Sequence, residues 1–162
     1  MEAVGTNLSQ VYFHDIPLGP VGFKINFLRS ATGRAYLAFC DENERAEIIA
    51  TLRRSNRPGD QLAFDEMAIK RLVTKARRRG FALRDPLWGG EFDKSRCAAD
   101  DGRCSMAIPI QISGLGTIGA LNLTWKQNVL SAYEGVQRYL KDLKWAARRI
   151  ERAYRQAASG ME

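Results

Sequence analysis

A chain of 162 residues, 45% hydrophobic and 27% charged, has room for one domain with a sizeable core. Its longest uncharged apolar stretches, Ala35 to Cys40 and Met106 to Ile112, are far shorter than the roughly 20 residues of a membrane-spanning helix. Met1 to Gln10 carries Glu2 and no Lys or Arg, unlike the basic start of a secretory signal, so a cytoplasmic protein without membrane contact is expected. The net charge of +7, from 25 basic against 18 acidic residues, collects at Arg53 to Arg57, Lys70 to Arg79 and Lys141 to Arg155. Cations in the last turn of a helix offset its dipole. Arg77 to Arg79, directly before Gly80, fit that role better than phosphate binding, and no aromatic interleaving of the kind needed for stacking single strands accompanies the basic runs.

In chain order, Val21 to Phe27 alternates weakly at period two and reads as a short strand after Pro17, Gly19 and Pro20. Ser30 is placed to cap a short helix through Phe39, with Gly33 as a point of close backbone approach. Asp41 and Glu44 form the Asp variant of a capping box, opening a helix whose buried stripe is Ala46, Ile48, Ile49 and Leu52 and which Pro58-Gly59 ends. A third helix spans Asp65 to Arg79, with Met67, Ile69, Leu72, Val73 and Ala76 apolar and Gly80 in the position that favours a left-handed residue. Phe81 to Leu83 is a short strand, and Arg84 to Arg103, rich in Asp, Gly, Arg and Lys, is a long loop of the kind that is functional or mobile.

Ser105 to Ile112 and Thr117 to Trp125, joined by Ser113-Gly114-Leu115-Gly116, form a hairpin. On its second strand Leu121, Leu123 and Trp125 share one face while Ala120, Asn122 and Thr124 share the other. Ser131 with Glu134 is a second capping box, opening a helix to about Ala158 that is apolar at Tyr133, Val136, Leu140, Leu143, Ala147, Ile150 and Tyr154. Such a helix lies on a sheet with its basic faces in water.

Few constellations carry chemistry. Gly114, Gly116 and Gly119 spell the dinucleotide fingerprint, but a strand follows where a helix is required, so the glycines belong to the hairpin. The cysteines Cys40, Cys97 and Cys104 are odd in number and form no CxxC pair, and His14 is the only histidine. Neither a disulfide framework, a metal site, a cofactor nor a Ser-His-Asp triad is expected. The carboxylates Asp85, Glu91, Asp93, Asp100 and Asp101 leave room for an acid-base pair acting on small acids, although neighbours such as Lys94, Arg96 and Arg103 suit ion pairs better. Residue patterns alone support an α/β binding or sensory domain.

Specific strings go further. Ser30-Ala31-Thr32-Gly33-Arg34-Ala35-Tyr36-Leu37-Ala38-Phe39 with the acidic stretch Asp41 to Arg45, Gly80-Phe81-Ala82-Leu83, Ser105-Met106-Ala107-Ile108-Pro109-Ile110 and Gly119-Ala120-Leu121-Asn122-Leu123 resemble the effector domain of isocitrate lyase regulator (IclR) family transcription regulators, over about Leu18 to Glu151. Gly33 to Cys40 and Ala82 to Trp88 resemble the branch that governs catabolism of aromatic acids. The resemblance implies an α/β (α+β) fold of GAF type: an antiparallel sheet flanked by helices, with a long C-terminal helix and a small-molecule pocket on one face. It places the single effector-binding domain at residues 1 to 158, with 159 to 162 as a tail, lacking the family's first helix and strands and its winged helix-turn-helix.

Carried over by position, the effector-binding residues are Ser30, Ala31, Thr32, Arg84, Ser105, Asn122 and Thr124, lining a cavity that the helix at Ser30 closes over the hairpin. The resemblance further implies a sensor, not an enzyme, for a small carboxylic acid. Arg84 stands where some relatives carry an acid and is matched to the effector carboxylate. It also implies contact with DNA only through the helix-turn-helix, and an exposed strand edge argues for a homo-oligomer. An autonomous basic nucleic-acid-binding domain is the reading that charge alone would favour.

Overall fold

The computed structural model describes residues 25–55, 57–90 and 95–159. Its elements run α1 (Ala31–Phe39), α2 (Glu42–Ser55), a 3-10 helix (Pro58–Phe64), α3 (Glu66–Arg79), β1 (Ala82–Leu83), β2 (Arg103–Ile112), β3 (Gly116–Lys126) and α4 (Ala132–Ser159). The three strands form one antiparallel sheet in the order β1-β2-β3, flanked by helices: the α+β class the sequence pointed to.

The caps act as their chemistry requires. Ser30 Oγ accepts the Gly33 amide at 2.9 Å, Asp41 Oδ1 accepts the Glu44 amide at 2.9 Å, and Asp65 Oδ1 accepts the Ala68 amide at 2.8 Å. At α4 the box is reciprocal: the Glu134 amide donates to Ser131 Oγ at 3.2 Å and the Ser131 amide to Glu134 Oε2 at 2.9 Å. Gly80 ends α3 in the left-handed region, at φ 75°, and so turns the chain directly into β1.

The two faces of the sheet are packed differently. On one, Val136, Leu140, Leu143 and Ala147 of α4 meet Phe81, Met106, Ile108, Ile110, Leu121, Leu123 and Trp125. Gly135 permits this closeness, because a Cβ there would lie 2.3 Å from the Trp125 ring. On the other face α1 contributes Ala31, Ala35 and Ala38 to a seam with Ala76, Ala82, Ala107 and Ala120. Behind α1, Gly33 lies against the preceding turn, where a Cβ would be 2.4 Å from the Phe27 Cα. Leu28, Leu37, Ile49 and Ala63 make a third cluster joining α1 to α2 and the 3-10 helix.

Three expectations need correction. Of the strand expected at Val21 to Phe27, residues 21–24 lie outside the described residues, and 25–27 lead into a turn. There the buried Asn26 accepts the Leu28 and Arg29 amides on Oδ1, each at 2.9 Å, so a side chain takes the bonds that a neighbouring strand would otherwise supply. Pro58-Gly59 ends α2 yet starts the unforeseen 3-10 helix, as a proline at its first turn allows. Ala46, Met67, Tyr133, Ile150 and Tyr154, expected among the apolar positions of their helices, are exposed. His14 lies outside the described residues. Among the described residues no helix is long and apolar enough to cross a membrane.

Candidate functional site

Gly80 delivers β1 to the edge of β2 in the register Ala82 to Ala107 and Leu83 to Met106, and the Arg84 amide donates to the Ser105 carbonyl at 3.0 Å. Between this edge, α3 and the segments on either side of the long loop lies a cleft of about 620 Å³. Phe81, Leu83, Leu72 and Ala76 are among its apolar walls, and among the described residues its charged lining is Arg34, Arg71, Lys75, Arg79, Arg84, Arg96 and Arg103 with the single carboxylate Asp85. Arg71, Lys75 and Arg79 are four residues apart and so share one face of α3.

Part of this charge is compensated. Arg34 is a structural tie: Nη2 lies 3.0 Å from Asp85 Oδ2, and Nε donates to the Leu28 carbonyl at 2.6 Å. Burial lowers its pKa and Asp85 opposes the shift. Arg84, 8% exposed, donates through Nη1 to Asp101 Oδ2 and through Nη2 to the Trp88 carbonyl, both at 2.8 Å, while its guanidinium sits 4.7 Å from the Trp88 ring centroid. Arg96 donates to the Arg103 carbonyl at 2.9 Å and pairs with Asp100 at 3.5 Å and with Gln127. The pKa of Arg103 is lowered first by burial and also by Arg84, with Asp101 opposing.

Arg71 also has a carboxylate near, Asp65 at 3.9 Å, yet hydrogen bonding in the cleft is incomplete. Among the described residues the Nε groups of Arg84, Arg96 and Arg103 have no hydrogen-bond partner, and each belongs to a residue of this cleft. A buried donor without a partner costs about 1–3 kcal/mol, more when charged. Two glycines let the flanking segments close around Arg84. A Cβ at Gly89 would lie 1.6 Å from the Ala99 carbonyl oxygen, and one at Gly90, where φ is 107°, would lie 2.2 Å from Asp101 Oδ2. The Asp101 amide donates to the Gly89 carbonyl at 3.1 Å.

Of the seven residues expected to bind an effector, the structure brings Arg84 and Ser105 to this cleft. Ser30 uses its hydroxyl for the α1 cap and for the Asn26 carbonyl at 2.7 Å. Ala31 is buried in the alanine seam, and Thr32 follows it in the first turn of α1. Asn122 is exposed, and its Nδ2 donates to Thr124 Oγ1 at 2.9 Å. Among the described residues Ala107 and Ala120 meet the α1 alanines between that helix and the hairpin, and the cleft lined by Arg84 and Ser105 lies at the β1 edge of the sheet. Arg34, Arg96, Arg103 and the α3 cations were not singled out as site residues; the four-residue spacing of Arg71, Lys75 and Arg79 was the available signal. Arg77 to Arg79 stand in the last turn of α3, as expected; in addition Arg77 Nε donates to the Ala38 carbonyl of α1 at 2.6 Å, and Arg79 lines the cleft.

The loop carboxylates form no acid-base pair among the described residues. Asp85, Asp100 and Asp101 are each ion-paired to an arginine, and Glu91 and Asp93 lie outside the described residues.

No family model matches the sequence. Solved structures do match the fold. The inducer-binding domain of the PobR transcription factor from Acinetobacter, a double mutant in complex with 3-hydroxybenzoic acid, superposes with a TM-score of 0.60 at 18% identity, covering 86% of this chain and 75% of that one. An IclR-family transcriptional regulator from Brucella abortus gives 0.61 at 19% identity, over 85% of this chain and 47% of that one. The Thermotoga maritima IclR protein gives 0.61 at 20% identity, over 85% and 50%. The chain therefore spans about half the length of those two regulators. Over about 85% of its length this protein has the fold of the effector-binding domains of IclR-family transcriptional regulators.

Proposed function

We propose that this chain is the effector-sensing domain of an IclR-type transcriptional regulator and that its ligand is a small carboxylic acid held in the cleft beside β1. The observation that carries this reading is the cleft itself, which among the described residues is lined by seven cations, four of them ion-paired, with Asp85 as the lining carboxylate, and which holds three guanidinium Nε groups without a hydrogen-bond partner. A cleft of about 620 Å³ lies in the range that takes a small organic ligand. Arg84 and Ser105 remain the residues proposed from the sequence, and Arg103 joins them. Because Asp101 already holds Arg84 Nη1, an incoming carboxylate takes the place of Asp101, and Phe81 supplies an aromatic wall. The bound 3-hydroxybenzoic acid of the PobR domain is in keeping with an aromatic acid.

In this reading the protein is not an enzyme. It works in the cytoplasm as a homo-oligomer, and the ligand acts by favouring one of two arrangements through its differential affinity. Base-specific contact with DNA belongs to a helix-turn-helix domain, which is not among the described elements.

A thermal-shift series with benzoate, hydroxybenzoates and short aliphatic mono- and dicarboxylates tests this. At a hundredfold excess over Kd the right acid raises Tm by roughly 5 to 10 °C. Arg84→Ala and Arg103→Gln each reduce the shift. Absence of a shift with every acid, or an equal shift in both variants, overturns the assignment.

A further inference from the structure

The outward face of α4 carries a second cationic feature, separate from the cleft. At 100° per residue, Arg138, Lys141, Trp145, Arg148, Arg149 and Arg152 fall within an arc of about 100°. Val136, Leu140, Leu143 and Ala147, which pack on the sheet, point the opposite way. All six are exposed, Trp145 at 58%. Among the described residues none of the five cations has a carboxylate within ion-pair distance. Asp142 sits at the margin of the arc, and Glu151, on the flank, accepts the Gln111 amide at 2.8 Å. Trp145 stands at the middle of the stripe, with the Arg149 guanidinium 4.7 Å from its ring centroid. Trp145 thus lies within the basic run Lys141 to Arg155, and the helix sets it among the cations of one face.

We infer that this face docks on the phosphate backbone of duplex DNA, independently of base sequence. From Arg138 to Arg152 the stripe runs straight for about 21 Å at 1.5 Å per residue, a length that faces about six phosphates of one strand at 3.4 Å each. Five unpaired cations on a rigid rod suit an evenly spaced polyanion; they also repel a second copy of the same face. A membrane surface fits less well, because an interfacial helix buries a continuous apolar face in the bilayer, and the apolar face of α4 already lies against the sheet. The arginines give charge and fork-shaped donors for phosphate, and Trp145 covers sugar and backbone between them. This contact is distinct from ligand binding in the cleft and does not depend on it.

The test is fluorescence anisotropy of the 162-residue chain with labelled duplexes of two unrelated sequences over 50 to 200 mM salt. Binding to both with similar affinity is expected, in the range of about 10⁻⁴ to 10⁻⁶ M for non-specific contact, with quenching of Trp145 lost in Trp145→Phe. The triple variant Arg148→Gln, Arg149→Gln, Arg152→Gln, with an unchanged far-ultraviolet circular dichroism spectrum, lowers the slope of log K against log salt by about 0.9 for each phosphate contact removed. A control variant, Lys75→Gln with Arg79→Gln in the cleft, leaves that slope unchanged. Lack of binding at 50 mM salt, equal binding by the triple variant, or tighter binding to single strands or to vesicles of anionic phosphatidylserine overturns the inference.

Discussion

Ile108 and Ala107 are neighbours on β2 and face opposite worlds. Ile108 belongs to a layer of large side chains under α4, whereas Ala107 belongs to a seam of alanines under α1. The α4 layer gains its stability from area removed from water, which rises with side-chain size. The α1 seam works by close approach, and size there is a defect. A single strand thus carries two opposite size rules, and the cleft opens at the β1 edge, where the chain leaves both layers for the long loop.

The largest effect is expected from shrinking the thick layer. Ile108→Ala removes buried methylene groups and leaves a cavity, costing about 2–5 kcal/mol in urea unfolding. Next is enlargement of the thin seam: Ala107→Leu overpacks the α1 contact and costs about 1–3 kcal/mol, whereas Ile108→Leu, of equal volume, costs less than about 1.5 kcal/mol. If Ala107→Leu is as stable as the parent, the seam is not close-packed and the contrast between the faces is lost.

The smallest effect sharpens the boundary of the α1 side and depends on pH. Burial, aided by Glu44, pushes the Cys40 thiol at the end of α1 up to about 11. The unfolded thiol ionises near 8.5, so the folded state binds more protons between these values. The stabilisation is complete below the lower value and is lost as pH rises through about 11. Tyr36, also raised first by burial and then by its bond to Glu44, acts in the same direction at higher pH. Urea midpoints from pH 7.5 to 11 are expected to fall more steeply for the parent than for Cys40→Ala, and parallel curves would remove Cys40 from the account.

How far the site was legible follows from where its bonds are made. Ser30, Asp65, Ser131 and Gly80 act on backbone groups within four residues, so their roles could be read along the chain. Arg84 was singled out, but its partners Asp101 and Trp88 lie 17 and 4 residues away, and nothing local announces that its terminal nitrogens are already engaged. Asn122 and Thr124 were rightly placed on one face of β3; that Ala120 on the same face meets the alanines of α1 depends on the tertiary packing.

The amino-acid order alone determined the helices, the hairpin, their caps and the α+β class, because these rest on periodicity and on hydrogen bonds between near neighbours. The tertiary structure decided where space remains. Open volume is what is left after every element has packed, and the cleft lies where α3 and the two flanks of the long loop, remote in sequence, bring their cations to the edge at β1.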